Sequence, residues 1–175
     1  MEDKISVMYS EEEIDKRIRE LGKQISEEYA GESIHMVCVL KGASTFACEL
    51  AKRITIPVYF DFIKVSSYGN DTVSSGNIKV SKDVDDSVEG DNVLIIEDIV
   101  DSGRTLACLL ELFKERNPKS LKLAVLLDKP DRRVIPFNVD YTGFVIPDEF
   151  VVGYGLDYAQ KYRNLPFIGV VEFTE

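Results

Sequence analysis

One stretch limits the possible folds more than any other: Val93-Leu94-Ile95-Ile96-Glu97-Asp98-Ile99-Val100-Asp101-Ser102-Gly103-Arg104-Thr105-Leu106. Four consecutive aliphatic residues, too short a run for a helix, read as a strand buried on both faces. The strand ends in two adjacent carboxylates. A short Asp-Ser-Gly-Arg-Thr loop follows, and from Thr105 onward the apolar spacing turns helical. The unit is strand, loop, helix.

The rest of the chain repeats this alternation. Ile14, Ile18, Leu21 and Ile25 share helical spacing, and Ser10 with Glu13 forms a capping box, so a helix is expected within residues 10–30. Further strands are expected at His35–Leu40, Val58–Lys64, Val93–Ile96, Leu121–Leu127 and Tyr141–Val145, with short late ones at Val151–Tyr154 and Ile168–Val171. Further helices are expected at Ser44–Ile54 and Thr105–Arg116, the latter stopped by Asn117-Pro118. Such alternation predicts an α/β fold with a mostly parallel central sheet flanked by helices. Ligands in such folds bind beyond the carboxyl ends of the strands, where Glu97 and Asp98 fall. The segment 66–90 stands apart: polar, rich in Ser, Gly and Asp, and long enough to be a lid or an insert. Ile78 and Val80 alternate with polar neighbours, so part of it has the pattern of a hairpin.

Bulk properties narrow the function. A chain of 175 residues is expected to form one domain, 1–175, with an ordinary core. A net charge of −10 argues against a nucleic-acid partner. No apolar run approaches the roughly 20 residues of a membrane span, and the N-terminus lacks a signal-peptide layout, so a cytoplasmic protein is expected. Cys38, Cys48 and Cys108 lie in apolar segments without metal-type spacing and are expected to be buried thiols. His35, the single histidine, is given no role.

The chemistry concentrates after strands. Ser102, Gly103 and Thr105 are small, and amides at a helix start make an anion site. Paired carboxylates such as Glu97 and Asp98 repel unless hydroxyls or a cation answer them. A ligand with both hydroxyls and a phosphate is a sugar phosphate. Residues alone lead no further than a nucleotide-binding α/β domain with acidic metal ligands.

The Val93–Thr105 run closely resembles the phosphoribosyl-pyrophosphate (PRPP) motif of the type I phosphoribosyltransferases. The resemblance implies that fold, with a small hood region and a long mobile loop at 66–90. It implies that Glu97 and Asp98 bind the ribose hydroxyls and approach Mg2+, and that Ser102, Gly103, Arg104 and Thr105 bind the 5′-phosphate. Further segments resemble the 6-oxopurine (hypoxanthine-guanine) branch. Leu40-Lys41-Gly42 matches its pyrophosphate loop, whose Leu-Lys peptide is often cis, with Arg163 as a second pyrophosphate contact. Ser66-Ser67-Tyr68-Gly69 matches the start of its catalytic loop, in which Ser67 and Tyr68 close over the reacting centre. Phe150 to Tyr158 matches the base site: Phe150 stacks on the purine, Val151 offers backbone contacts, and Asp157 helps to hold Mg2+. Lys129 matches the lysine that donates to the 6-oxo group, Ile99 lies with the purine contacts, and Asp101 is the implied general acid/base near purine N7.

The implied reaction is purine salvage: transfer of phosphoribosyl from PRPP to N9 of hypoxanthine or guanine, yielding IMP or GMP and pyrophosphate. The implied partners are these small molecules and other copies of the chain, as a homodimer or homotetramer. Alternatives are a xanthine-preferring enzyme and a PRPP-sensing RNA-binding regulator on the same fold; the acidic charge and the set of purine contacts count against the regulator.

Overall fold

The structure, a computed structural model, describes residues 4–67 and 78–173. In chain order the elements are β1 (Lys4–Tyr9), α1 (Glu11–Glu28), β2 (Ile34–Val39), α2 (Ser44–Arg53), β3 (Val58–Ser67), β4 (Ile78–Lys82), β5 (Asn92–Val100), α3 (Arg104–Lys114), β6 (Ser120–Asp128), β7 (Tyr141–Val145), β8 (Val151–Val152) and β9 (Ile168–Glu172). A six-stranded sheet has the order β4-β3-β2-β5-β6-β7. Its strands run parallel except β4, which returns antiparallel beside β3.

The unbroken apolar runs have a simple cause. Strand side chains alternate between faces, and both faces of this sheet are covered. Met36, Cys38, Leu94, Ile96 and Leu126 face α1 and α2, packing with Ile14, Leu21, Phe46 and Leu50. Val37, Ile95, Leu123 and Val125 face the other way, against Leu106, Leu109 and Phe113 of α3. Capping fixes where α1 begins: the Glu13 N–H donates to Ser10 Oγ, and the Ser10 N–H donates to Glu13 Oε2.

The structure departs from the sequence expectations in three places and meets them in a fourth. A second sheet, β1-β9-β8, is antiparallel and forms the hood. Its first strand went unforeseen because β1 is mostly exposed and its partner lies at the far end of the chain. β5 continues past Ile96 to Val100, carrying Glu97 and Asp98 within the strand rather than just after it. The hairpin pattern expected within 66–90 is met by antiparallel pairing of its described residues. β3 runs on through Ser66 and Ser67, and Ile78 to Lys82 pair back along it, because Val65, Ile78 and Val80 pack toward the α3 cluster. Cys38 is buried as expected, and burial pushes its thiol up to about 12, but Cys48 is exposed on the outer face of α2. Phe46, Ala47 and Leu50 take the inner positions of that helix.

His35 also proves to have a setting. It is buried, with Nδ1 3.0 Å from Asp91 Oδ2 and Nε2 3.5 Å from Asp61 Oδ2. Asp61 Oδ2 accepts the N–H groups of Asp85 and Asp86, fastening the return from β4 to β5. Desolvation raises the Asp61 carboxyl, but the N–H groups of Phe62, Asp85 and Asp86 together with His35 outweigh it, so the group sits below its usual range. A depressed folded-state value means the stabilisation exists above the unfolded value and vanishes as pH falls through the folded one. Asp61→Asn is therefore expected to cost about 2–3 kcal/mol at pH 7, from weakened charge-assisted hydrogen bonds. That deficit should close below about pH 4. Urea unfolding midpoints across pH check both parts, and a deficit independent of pH would refute the ionic origin.

Candidate active site

The carboxyl ends of β2, β3, β5 and β6 lie at one edge of the main sheet, and the loops beyond them build the site. Glu97 and Asp98 are both half-buried near the end of β5. The Asp98 N–H donates to Glu97 Oε1 at 3.0 Å, and the Ile99 N–H to Asp98 Oδ1 at 2.7 Å. Burial first, and the charge of Asp98 second, hold the Glu97 carboxyl well above the usual carboxylate range. Among the described residues neither acid has an ion-pair partner. Two adjacent carboxylates in this condition suit sugar hydroxyls or a hydrated cation.

Beyond them the chain turns at Gly103, in the left-handed region at φ 80°. A Cβ there would lie 2.5 Å from the Phe137 ring and 3.0 Å from Arg133 Cδ, so conformation and packing both require glycine. The first intrahelical bond of α3 runs from the Ala107 N–H to the Gly103 carbonyl. The N–H groups before Ala107 have no intrahelical acceptor at this positive end of the helix, and that of Arg104 reaches Ser102 Oγ at 3.5 Å. A pocket of about 160 Å³ lies here, lined by Glu97, Ile99 and the Val100–Leu106 segment. It combines hydroxyls, amides and an acid in a volume suited to a phosphate and part of a sugar.

A second loop abuts this corner. After β2 the Leu40-Lys41 peptide is cis, as the resemblance implied. A Cβ on Gly42 would fall 1.8 Å from Asp98 Oδ2, and one on Gly155 would fall 2.1 Å from the Gly42 carbonyl oxygen. The Lys41-Gly42 backbone is thus wedged between Asp98 and the 153–163 segment, an approach only glycines permit. Lys41 Nζ and Arg163 Nη2 both reach Gln160 Oε1, each at 3.4 Å. Arg163 also pairs with Asp157 at 2.8 Å and donates to the Gly155 carbonyl. Two cations at one glycine-floored corner make a site for a second anion.

The third wall comes from β6 and β8. Lys129 is buried at 7% exposure, its nearest carboxylate Asp148 lying 3.5 Å away. A buried ammonium with one distant counter-ion has donors to spare for a ligand acceptor. Phe150 does the reverse and keeps an apolar ring 44% exposed. Its rim meets Tyr158 and Phe173, both with ring centroids at 5.5 Å and steeply inclined. Val151, buried, pairs with Val170 in the hood. Asp101 pairs with Arg132 at 2.9 Å.

The structure thus joins Glu97, Asp98, Ile99 and the 101–105 loop, sets Lys41 and Gly42 against Asp98, and links Lys41 to Arg163 and Asp157 through Gln160. Lys129 is linked to the 101–105 loop through Asp148 and Arg132. Ser67 ends β3 and pairs with Ile78, with no described contact to the other site residues; Tyr68 lies outside the described residues. Asp157 is held by Arg163 and the Gln160 N–H, and no three metal-binding side chains converge among the described residues. A metal here would rest mainly on the Glu97–Asp98 corner and keep several waters, as Mg2+ does. The unpaired acids fit that demand. Sequence reasoning missed Gln160, Arg132 and Asp148, because charged and polar loop residues carry no periodic signal.

Comparison with known proteins identifies the family. The phosphoribosyl transferase domain family matches residues 8–159. The hypoxanthine-guanine phosphoribosyltransferase of Bacillus subtilis is 54% identical over 166 residues, covering 95% of this chain and 92% of that protein. The hypoxanthine phosphoribosyltransferase of Buchnera aphidicola is 49% identical over 177 residues, covering 100% of both. The bifunctional protein TilS/HprT of Listeria innocua is 57% identical over 166 residues, of which this chain spans only 26% of the length. A crystal structure of a hypoxanthine-guanine phosphoribosyltransferase from Bacillus anthracis superposes with a TM-score of 0.93 at 48% identity, covering 98% of this chain and 100% of that one.

Proposed function

The chain belongs to the phosphoribosyl transferase domain family, and from that premise we propose that it salvages purines, moving phosphoribosyl from PRPP to N9 of hypoxanthine or guanine. The single observation that carries this reading is the gathering of the Gly103 helix start, the Glu97–Asp98 pair, the Lys41–Arg163 corner and the buried Lys129 beyond the carboxyl ends of the strands; these supply two candidate anion sites, acceptors for sugar hydroxyls and a donor. PRPP needs the first three and a 6-oxopurine needs the last.

In this reading Glu97 and Asp98 accept hydrogen bonds from the ribose hydroxyls. Ser102, Gly103, Arg104 and Thr105 hold the 5′-phosphate. Lys41, the Gly42 backbone and Arg163 hold the pyrophosphate as the C1′–O bond breaks and its electrons pass to that oxygen. Phe150 stacks on the base, the Val151 backbone and Ile99 border it, and Lys129 donates to the 6-oxo group. N9 bonds to C1′ while Asp101 handles the proton at N7. Ser67 and Tyr68 would shield the cationic sugar from water. Bound Mg2+, resting on Glu97 and Asp98 with Asp157 nearby, would supply positive charge to the pyrophosphate. The chain would act as one domain, in the cytoplasm, as a dimer or tetramer; no described helix is long and apolar enough to cross a membrane.

A spectrophotometric assay of hypoxanthine, guanine and xanthine with PRPP and Mg2+ tests the reading; no turnover with any base sinks it. Lys129→Ala is expected to raise KM for the purine by roughly tenfold to a hundredfold, the loss of one charge-assisted hydrogen bond. The KM for PRPP should stay within about twofold, since Lys129 lies outside both anion sites. An unchanged purine KM would remove Lys129 from base recognition.

A further inference from the structure

We propose that Arg132 is a positioning residue for Asp101, a role that rests on the reading of Asp101 as the proton-transfer group. Arg132 Nε donates to Asp101 Oδ1 at 2.9 Å, and Arg132 Nη1 donates to Asp148 Oδ2 at 3.3 Å. The other oxygen of Asp148 lies 3.5 Å from Lys129 Nζ. One guanidinium thereby ties the carboxylate that handles the N7 proton to the counter-ion of the ammonium that reads the 6-oxo group. Those two groups must address N7 and the 6-oxo oxygen on one edge of a single purine, so their separation matters to the reaction.

The scaffold holds Arg132 at a fixed distance from Asp101. On one side of Asp101 the Lys129 N–H donates to the Val100 carbonyl at 3.0 Å. On the other the Val134 N–H donates to the Ser102 carbonyl at 3.0 Å. Between these bonds the chain makes a short 3₁₀ turn, Pro130–Arg132, with proline at its first turn and the Arg132 N–H donating to the Lys129 carbonyl. Asp148 follows β7, the parallel neighbour of β6, and two residues before it the Ile146 N–H donates to the Asp128 carbonyl at 2.9 Å. Side chains on two such braced segments meet without searching many rotamers.

Exposure separates this role from a stabilising one. The side chains of Arg132, Asp101 and Asp148 are each about half exposed, where ion pairs contribute little to folding. The same contacts become consequential when a bound base excludes water around Asp101. Guanidinium geometry suits the task, since its forked donors reach two carboxylates at once while an ammonium is a point charge.

The test measures kcat and both KM values for Arg132→Ala, Arg132→Lys, Asp101→Asn and the double variant Asp101→Asn with Arg132→Ala. Arg132→Ala should lower kcat roughly tenfold, with KM for PRPP within about twofold. Arg132→Lys should recover part of that loss. The double variant should be no slower than Asp101→Asn alone, because a residue acting through Asp101 has nothing left to act on. Melting temperatures of the Arg132 variants should match the parent, which keeps a folding defect distinguishable. A wild-type kcat for Arg132→Ala, or additive losses in the double variant, overturns this proposal while leaving Asp101 in place. A wild-type kcat for Asp101→Asn instead overturns the reading of the site and this proposal with it.

Discussion

Replacing Asp101 with Asn is expected to lower kcat with hypoxanthine by about 10²–10⁴-fold, the usual worth of general acid–base assistance. The KM for PRPP should hardly move. Asparagine keeps the size and one acceptor oxygen of aspartate but cannot take up a proton at neutral pH. Asp101 lies between the two backbone bonds that brace its loop, Lys129 N–H to Val100 and Val134 N–H to Ser102, so the change should leave the phosphate loop intact. Steady-state kinetics with each substrate varied in turn separates the effects. A drop in PRPP affinity equal to the drop in kcat would mean that Asp101 shapes the sugar-phosphate site instead of moving a proton.

The paired replacement Glu97→Gln with Asp98→Asn should act in two opposite directions. Ribose hydroxyls would lose charge-assisted acceptors, each worth about 1.5–3 kcal/mol, so PRPP binding should weaken at least roughly a hundredfold. The free protein should nevertheless become more stable at pH 7 to 8. Burial and the neighbouring Asp98 hold the Glu97 carboxyl above its usual range, and a raised acid opposes folding once it must ionise. Its cost begins as pH climbs past the unfolded value near 4.3 and grows until the folded group has ionised. The gain in melting temperature should therefore be present at neutral pH and absent near pH 4. Each kcal/mol relieved corresponds to about 2–4 °C in a chain of this size. Calorimetric titration with PRPP and melting curves at both pH values check the pair of outcomes. Lower stability at neutral pH would show that the acids are tied into the fold rather than held ready for a ligand.

Much of this site is readable because local chemistry is written in contiguous runs. An aliphatic strand followed by Glu97, Asp98 and a small-residue loop has few structural uses, and the resemblance to a PRPP motif implies which ligand it would take. The Leu40-Lys41-Gly42 and Phe150–Tyr158 segments were found the same way. What escaped notice was contact between residues far apart in sequence. Nothing in the polar stretch around Arg132 and Asp148 announces that it braces Asp101. His35 looked idle because its partners are far away in sequence, Asp61 on β3 and Asp91 just before β5. The strand β1 lacked the buried pattern that marks β2 or β5, since its order depends on β9 at the opposite end of the chain.

Sequence alone determined the alternation of strands and helices, the two-faced burial of the sheet, and the strand ends at which the candidate site lies. Each follows from which side chains must leave water and from the period at which they recur. Only the tertiary structure decided that Gly42 rests on Asp98, that Lys41 and Arg163 converge on Gln160, and that Arg132 joins Asp101 to Asp148. Those are matters of distance between separate loops. Periodicity sets which face a residue takes, but the packing of strands and helices sets how far one loop lies from another.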